Sequence, residues 1–510
     1  MARMGPVRNA LKHLFGQGLG LCLALAVSFL LARNVGATGE ADAFLIGRRL
    51  VTSLTEALNK VLLPVFVPVF VAAMLAGPHG LGPALWRWTG GAALAGLAIS
   101  VVAWLVAPTA MTALAPGMNA ETAASAVGSF RIFFLSLPAA MAVIVLAYAL
   151  NALSSFGTPS LLRQAPRIAI VLVLLFSTGF VATDGAWAFT LASYAVAAVL
   201  LPVVWLVARR NNRAAAKGEA AAQKLGRPRI QGPAVVVLMV SNLAGLWVET
   251  GFAGRLGEGA LTTLELSQRL GALGANTLAS ALLLAIFVHW SRLVQAGESG
   301  GLDRDAPRLV GLCLAALAIL QGFVALNARD LVGLVLDHGA FDAAQQSVRV
   351  MRWIAVAPVT LFALNILVIR MLVGRNASAL RLLALVGVEL ATRVALFTVL
   401  VPKLGLVGLA AASGLSPFSV LVLGPGILGL RYPSPGVLRS RRVTKPALLF
   451  ALSLAAIGAG NPLGNAIAAL TGLSGPPAMV LRLAVSGLAG LVVALASARA
   501  LAISLKLTGR

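Results

Sequence analysis

Charged side chains interrupt an otherwise apolar stretch of the sequence, AFLIGRRLVTSLTEALNKVLLPVFVPVF (residues 43–70). If this stretch is one helix with about 100° per residue, then Arg49, Ser53, Glu56 and Lys60 share a face roughly 60° wide. The remaining faces carry mostly Leu, Val, Ala and Phe. Because a charge that faces lipid is costly, this stripe must face water or protein.

The stripe carries more positive than negative charge, since Arg48, Arg49 and Lys60 outnumber Glu56. Excess positive charge in a cavity attracts anions, and the planar fork of arginine matches the oxygens of a phosphate. We therefore predict that these three basic residues bind an anionic ligand, and that Ser53 and Glu56 line the cavity. Glu56 would hold Lys60, one turn away, until the anion arrives.

Other ionisable residues inside apolar segments form two pairs spaced by four, Glu265 with Arg269 and Glu389 with Arg393, while Glu249 stands alone. Such a pair either neutralises itself and ties helices together or contributes to a functional site. We favour the structural interpretation for Glu389 and Arg393. Glu249 and Glu265 are candidates for lining the cavity or for coupling to an ion.

Patterns typical of catalysis do not occur. The four histidines are scattered, and no P-loop, metal-spaced cluster or Ser/His/Asp arrangement is present. Cys22 and Cys313 both fall in apolar segments and suggest neither a disulfide nor a metal site. We predict neither enzymatic activity nor a cofactor nor a metal, so any active transport would draw on an ion gradient, the membrane potential or substrate flux.

The elements that must position these residues are membrane-spanning helices. The 510-residue chain is 59% hydrophobic and 11% charged, which is too apolar for a soluble domain. Apolar stretches of about 20 residues, enough to cross a bilayer, recur throughout the chain. The sequence predicts an all-α polytopic membrane protein with about fourteen spans: 15–33, 43–75, 90–110, 128–152, 160–182, 185–208, 233–254, 263–290, 309–328, 346–370, 376–400, 405–429, 446–465 and 478–504.

The distribution of basic residues predicts the orientation of these spans. The termini and even-numbered loops, with their edges, hold 27 of the 40 Lys and Arg residues, whereas the odd-numbered loops hold five. By the positive-inside rule, both termini are predicted to be cytoplasmic, and the net charge of +24 reflects topology rather than nucleic-acid binding. The basic loops 209–230 and 431–446 could also contact anionic lipids, although we favour a role in topology alone.

Two parts of the sequence look like repeats. Residues 115–139 resemble residues 337–360, and both stretches lead into a long apolar span. The matching pairs are Gly117 with Gly339, Arg131 with Arg352, and Pro138 with Pro358. Parallel repeats are typical of transporters, with the substrate site between the halves. The predicted domains are a six-helix lobe (1–208), a basic cytoplasmic linker (209–231), a second six-helix lobe (232–430), and a basic loop with two further helices (431–510).

Several short motifs occur along the chain: ARNVGATGEADAF (32–44), PVFVPVF (64–70), LAPGM (114–118), LNALSSFGTPS (150–160), LSQRL (266–270) and DHGAFDA (337–343). In order and spacing they resemble motifs of the MviN/MurJ lipid II flippases, which belong to the multidrug/oligosaccharidyl-lipid/polysaccharide exporter superfamily. The resemblance implies a two-lobed, V-shaped transporter in the bacterial cytoplasmic (inner) membrane that works by alternating access. It also implies that Asp42 matches the family's loop aspartate and lines the cavity or takes part in coupling, and that Arg269 matches a cavity arginine that binds the substrate.

The sequence departs from that family in its first two spans. Positions at which the family carries charges for the pyrophosphate region read Leu21, Val27 and Ser28 here, and the family's Arg-Arg pair falls on Thr55 and Glu56. The family's nearby glutamate falls on Lys60. These departures keep an anionic lipid-linked ligand as the expected partner and leave its identity open.

Four functions remain open from the sequence. The first is a flippase for an undecaprenyl-pyrophosphate-linked saccharide, with lipid II for peptidoglycan synthesis as the leading substrate. The second has the same mechanism but carries an exopolysaccharide, capsule or O-antigen repeat unit. A cation-coupled multidrug exporter is disfavoured by the basic stripe, and a non-transporting scaffold would not need charges inside the membrane.

Overall fold

A computed structural model shows how the chain is organised. It describes residues 5–75, 78–152, 157–177, 179–215, 232–272, 299–373, 379–427 and 441–500, together with scattered positions between 274 and 290. The chain divides into two compact units, Met1–Thr262 (the N-terminal unit) and Thr263–Arg510 (the C-terminal unit). The lobe boundaries predicted at residues 208 and 232 stay a prediction.

The N-terminal unit is built from nine helices and the beginning of a tenth, as far as the chain is described. They are α1 (Gly5–Asn34), α2 (Gly39–Leu75), α3 (Pro78–Leu114), α4 (Ala120–Phe134), α5 (Leu137–Ala152), α6 (Gly157–Leu162), α7 (Ala165–Phe176), α8 (Ala182–Ala215), α9 (Gly232–Gly254) and the start of α10 (Ala260–Gly271). α9 belongs here because it packs against α2 and α3. A core of large side chains, including Phe70, Ile144 and Leu200, joins α2, α5 and α8.

The C-terminal unit is also helical throughout its described part. Its helices are the remainder of α10, then α11 (Ser299–Leu326), α12 (Ala328–Val335), α13 (Ala344–Ile354), α14 (Ala357–Val373), α15 (Ala379–Leu415), α16 (Pro417–Ile427), α17 (Arg441–Leu470) and α18 (Pro476–Ala500). α17 and α18 pack against each other, and α17 also packs against α11. Trp290, Phe362 and Leu317 form a buried core.

The break between α4 and α5 has a local cause. Pro138 has no N–H to donate to the carbonyl of Phe134, four residues before it, so the helix cannot continue regularly. The hydroxyl of Ser100 donates to that carbonyl instead, at 2.6 Å. Gly96 allows this approach, because a Cβ there would lie 2.8 Å from the carbonyl oxygen of Leu137.

The second predicted repeat breaks in the same manner. The backbone N–H of Leu135 donates to the carbonyls four and two residues before it, and the N–H of Ala355 does the same. Pro138 and Pro358 each follow three residues after these positions. The shared break is the structural counterpart of the sequence repeat.

The helices agree with the predicted membrane-spanning class. Among the described residues, eight helical segments are long and apolar enough to cross a membrane, and Val310–Leu326 with Ala328–Val335 forms a further pair bent by 66°. Inside α15, Gly405 has a φ of 57°. This break lies where the sequence predicts one span to end at residue 400 and the next to begin at 405. The all-helical polytopic class is confirmed, whereas the number fourteen stays a prediction.

Candidate functional site

A cavity of about 360 Å³ lies inside the N-terminal unit, between α2, α5, α6, α7 and α8. On α2 its wall is formed by Thr52, Thr55, Glu56 and Asn59, whose spacing places them on one helix face. This face is rotated by about 80° from the stripe predicted from the sequence, and Glu56 belongs to both. The rest of the lining includes apolar side chains such as Val143, Ile144 and Phe189, so the cavity has a mixed polar and apolar wall.

The break between α6 and α7 brings Arg163 to this cavity. Pro166 cannot donate to the carbonyl four residues before it, and the chain turns at residues 163–164 before α7 begins. The side chain of Arg163 is half-buried and lines the cavity. Among the described residues, no partner lies within hydrogen-bond or ion-pair distance of its guanidinium.

Arg167 lies on the same wall and is held in place. Its Nη1 donates to Oε1 of Gln164 at 2.6 Å and to the carbonyl of Gly20 on α1 at 3.5 Å. The amide of Gln164 donates in turn to the carbonyl of Ser160 at 3.2 Å. Gly20 permits this packing, because a Cβ there would lie 2.8 Å from Nη1 of Arg167.

The charges that line the cavity sum to one positive charge, from two arginines and one glutamate. Glu56 is the most exposed of the three, and its charge interacts with that of Arg163 without direct ion-pair contact. On the same helix, Asn59 accepts a hydrogen bond from Tyr148 through Oδ1 at 2.7 Å. The arrangement can accept an anion and is less suited to a cationic ligand.

The structure places the predicted anion-binding residues Arg48 and Arg49 inside the packed core of the N-terminal unit. Each is 5% exposed. Nη2 of Arg49 donates to Oε2 of Glu249 on α9 at 2.5 Å, and the guanidinium of Arg48 lies 5.9 Å from the ring centre of Phe44. Glu249, which stands alone in the sequence, thus has a basic partner from a distant helix.

Asp42 joins the first turn of α2 to the start of α10. Its Oδ2 accepts from the N–H of Gly259 at 2.7 Å, and its Oδ1 accepts from the N–H and the hydroxyl of Thr262 at 2.7 and 2.5 Å. The chain passes close by here, since a Cβ on Gly259 would lie 2.3 Å from the carbonyl oxygen of Ala37. A carboxylate suits this place because the first N–H groups of a helix have no partner within the helix.

Glu265 and Arg269 form the local pair that their spacing suggests, with Oε1 of Glu265 accepting from Nε and Nη2 of Arg269 at 3.0 and 2.8 Å. Ser53 is half-buried on α2 and is not part of the cavity wall. The side chain of Lys60 lies outside the described part of the structure. The substrate-binding and cavity-lining roles assigned from the sequence stay predictions.

Sequence reasoning did not single out Arg163 and Arg167. The distribution of basic residues places them at the edge of the predicted cytoplasmic loop between the spans 128–152 and 160–182. Two signals favoured a special role, namely their spacing by four residues and Pro166 between them. Neither signal indicates which residues face them.

A family model identifies the family of this chain, and several solved structures share its fold. A family model described as lipid II flippase MurJ matches residues 31–459. A solved structure of a lipid II flippase MurJ in an inward closed conformation is 14% identical, with a TM-score of 0.70, and the match covers 96% of this chain and 100% of the other. An inward-facing multidrug resistance MATE family transporter of the MOP superfamily is 13% identical, with a TM-score of 0.60 and coverages of 84% and 96%.

A MATE transporter of Vibrio cholerae has the same fold, at 14% identity and a TM-score of 0.54, with coverages of 85% and 96%. No curated protein sequence matches this chain. The structural likenesses establish the fold, and the family model extends the relationship across most of the sequence.

Proposed function

Because this chain belongs to the lipid II flippase MurJ family, we propose that it moves an undecaprenyl-pyrophosphate-linked saccharide from the inner to the outer leaflet of the bacterial cytoplasmic membrane. The observation that carries this proposal is the family match over residues 31–459. The cargo we propose is lipid II, and the use is peptidoglycan synthesis. The mechanism we propose is alternating access, with both termini in the cytoplasm.

The charges of the N-terminal unit support an anionic cargo over a cationic one. The cavity wall carries one more arginine than it does carboxylates. A cavity for cationic drugs would favour acidic groups, whereas this wall carries Arg163 and Arg167. The MATE likeness therefore reflects the common fold, and we assign this chain to lipid transport.

The lining of the cavity also supports a second candidate cargo. Thr55 and Glu56 stand in the cavity wall at the positions where the resemblance places two arginines. A changed lining is consistent with another saccharide on the same polyprenyl pyrophosphate, such as a capsule, exopolysaccharide or O-antigen repeat unit. The pyrophosphate would be common to both cargoes.

Transport can be measured with the purified full-length protein in liposomes. A fluorescent lipid II and a fluorescent polyprenyl-pyrophosphate repeat unit would be placed in the membrane, and an impermeant quencher would report the fraction in the outer leaflet. We expect lipid II to become accessible at a rate that depends on the protein. No protein-dependent movement of either lipid would refute the proposed function, while movement of the repeat unit alone would reassign the cargo.

A further inference from the structure

The wall of the cavity in the N-terminal unit contains two arginines, Arg163 and Arg167, to which the resemblance assigns no role. Arg163 and Arg167 lie within Thr158–Phe176, one of the segments that is apolar and long enough to cross a membrane. Guanidinium groups inside such segments are costly and are retained where they serve a function. We therefore ask which chemical group the side chains of Arg163 and Arg167 bind.

The geometry leaves the N–H groups of Arg163 available on the cavity side. A guanidinium has five N–H groups, and among the described residues the guanidinium of Arg163 contacts no acceptor. Arg167 is oriented by Gln164 and Gly20, which hold its Nη1. One arginine is therefore available to a ligand, and its neighbour is held rigidly beside it.

The residues of α2 in the cavity wall do not neutralise the positive charge of Arg163. Glu56 shares the cavity, but it does not approach Arg163 closely enough to form an ion pair. The hydroxyls of Thr52 and Thr55 donate to carbonyls of their own helix, at 2.7 Å in each case. The α2 hydroxyls thus do not compete with the arginines as donors to a ligand.

We propose that Arg163 and Arg167 form a binding subsite for a phosphate or pyrophosphate group inside the N-terminal unit. Resting on the proposed function, this subsite would hold the pyrophosphate of the lipid-linked saccharide. A volume of about 360 Å³ lies near the small end of ligand sites, roughly 300–1,000 Å³, so it suits a headgroup fragment rather than the whole cargo. Arginine offers the planar, two-pronged contact that such oxygens prefer.

The proposal predicts the sign of the change in anion affinity when Glu56 is replaced. Its carboxylate opposes an incoming anion across the cavity, so its neutralisation strengthens anion binding instead of weakening it. If Glu56, Arg163 and Arg167 had only a structural role, loss of the Glu56 charge would disturb the site and weaken anion binding. Glu56→Gln is therefore the most informative single variant.

Binding can be measured by calorimetry on the purified full-length protein with three probes: inorganic pyrophosphate, farnesyl pyrophosphate and farnesol. We expect farnesyl pyrophosphate and inorganic pyrophosphate to bind, because the subsite recognises the pyrophosphate group, and we expect farnesol not to bind. Arg163→Gln and Arg167→Gln should each weaken binding about tenfold or more, and Glu56→Gln should strengthen it. Arg131→Gln, the same change on α4 away from the cavity wall, should leave affinity unchanged.

The proposal is overturned if Arg163→Gln binds farnesyl pyrophosphate as tightly as the wild type, or if farnesol binds equally well. If Arg163→Gln does not fold, Arg163→Lys and Glu56→Gln decide the question, since the proposal requires weaker binding from the first and tighter binding from the second. Comparing these binding data with the flipping assay in liposomes separates failure of the subsite from failure of the proposed function. If pyrophosphate binding depends on Arg163 but no lipid is flipped in liposomes, the subsite is supported and the flippase assignment is refuted. If lipid is flipped but no such binding occurs, the flippase assignment is supported and the subsite is refuted.

Discussion

Replacing Arg49 with alanine is expected to destabilise the N-terminal unit. The change leaves the carboxylate of Glu249 buried without the cation that contacts it at 2.5 Å. The two side chains are 5% and 6% exposed, so water screens their interaction little. Removing one member of a buried ion pair typically costs about 3–5 kcal/mol. We expect the lower end of this range, because Glu249 has further contacts.

The free energy of unfolding can be measured on purified variants in micelles by denaturant titration followed by tryptophan fluorescence. Arg49→Ala and Glu249→Ala should each lose about 3 kcal/mol. The double variant Arg49→Met/Glu249→Met should lose less than either, because removing both charges together avoids an uncompensated buried charge. Arg131→Ala serves as the control, since that arginine lies partly exposed and should cost at most about 1 kcal/mol.

Flipping assays on the same variants separate stability from ligand contact. If the pair is structural, the double methionine variant should still transport. Wild-type stability of Arg49→Ala together with a complete loss of transport would refute this reasoning, and it would support the role in anion binding predicted from the sequence.

Three further predictions concern the ends and loops of the helices. Asp42→Ala removes three accepted hydrogen bonds and should expose the start of α10 to limited proteolysis, whereas Asp42→Asn should do so less because it keeps one acceptor oxygen. Gly259→Ala should lower the melting temperature more than Gly257→Ala does, because both have positive φ but only Gly259 lacks room for a Cβ. A cysteine placed in 209–230 should react with an impermeant reagent only from the cytoplasmic side, and labelling from the outside would contradict the predicted topology.

Local sequence signals predicted the helices, but the spans predicted at 128–152 and 346–370 left out the breaks that the structure shows inside them. Hydrophobic runs of about 20 residues identify spanning helices because a bilayer tolerates few other structures. Proline interrupts the hydrogen-bond pattern of a helix by its own chemistry, so Pro138 and Pro358 are the local signal for these breaks. The Glu265–Arg269 contact was also predictable, because four residues bring two side chains together on any helix.

The partners of the other charges depended on packing between distant helices. Glu249 lies 200 residues from Arg49 in the chain, and Thr262 lies 220 residues from Asp42. Periodicity determines which residues share a face of α2, but it does not determine which neighbouring helix covers that face. Packing divides the residues of the predicted stripe: Arg49 contacts α9, while Glu56 lines the cavity together with Arg163. Only the tertiary structure could decide this, because burial and charge pairing arise when helices that are far apart in sequence come into contact.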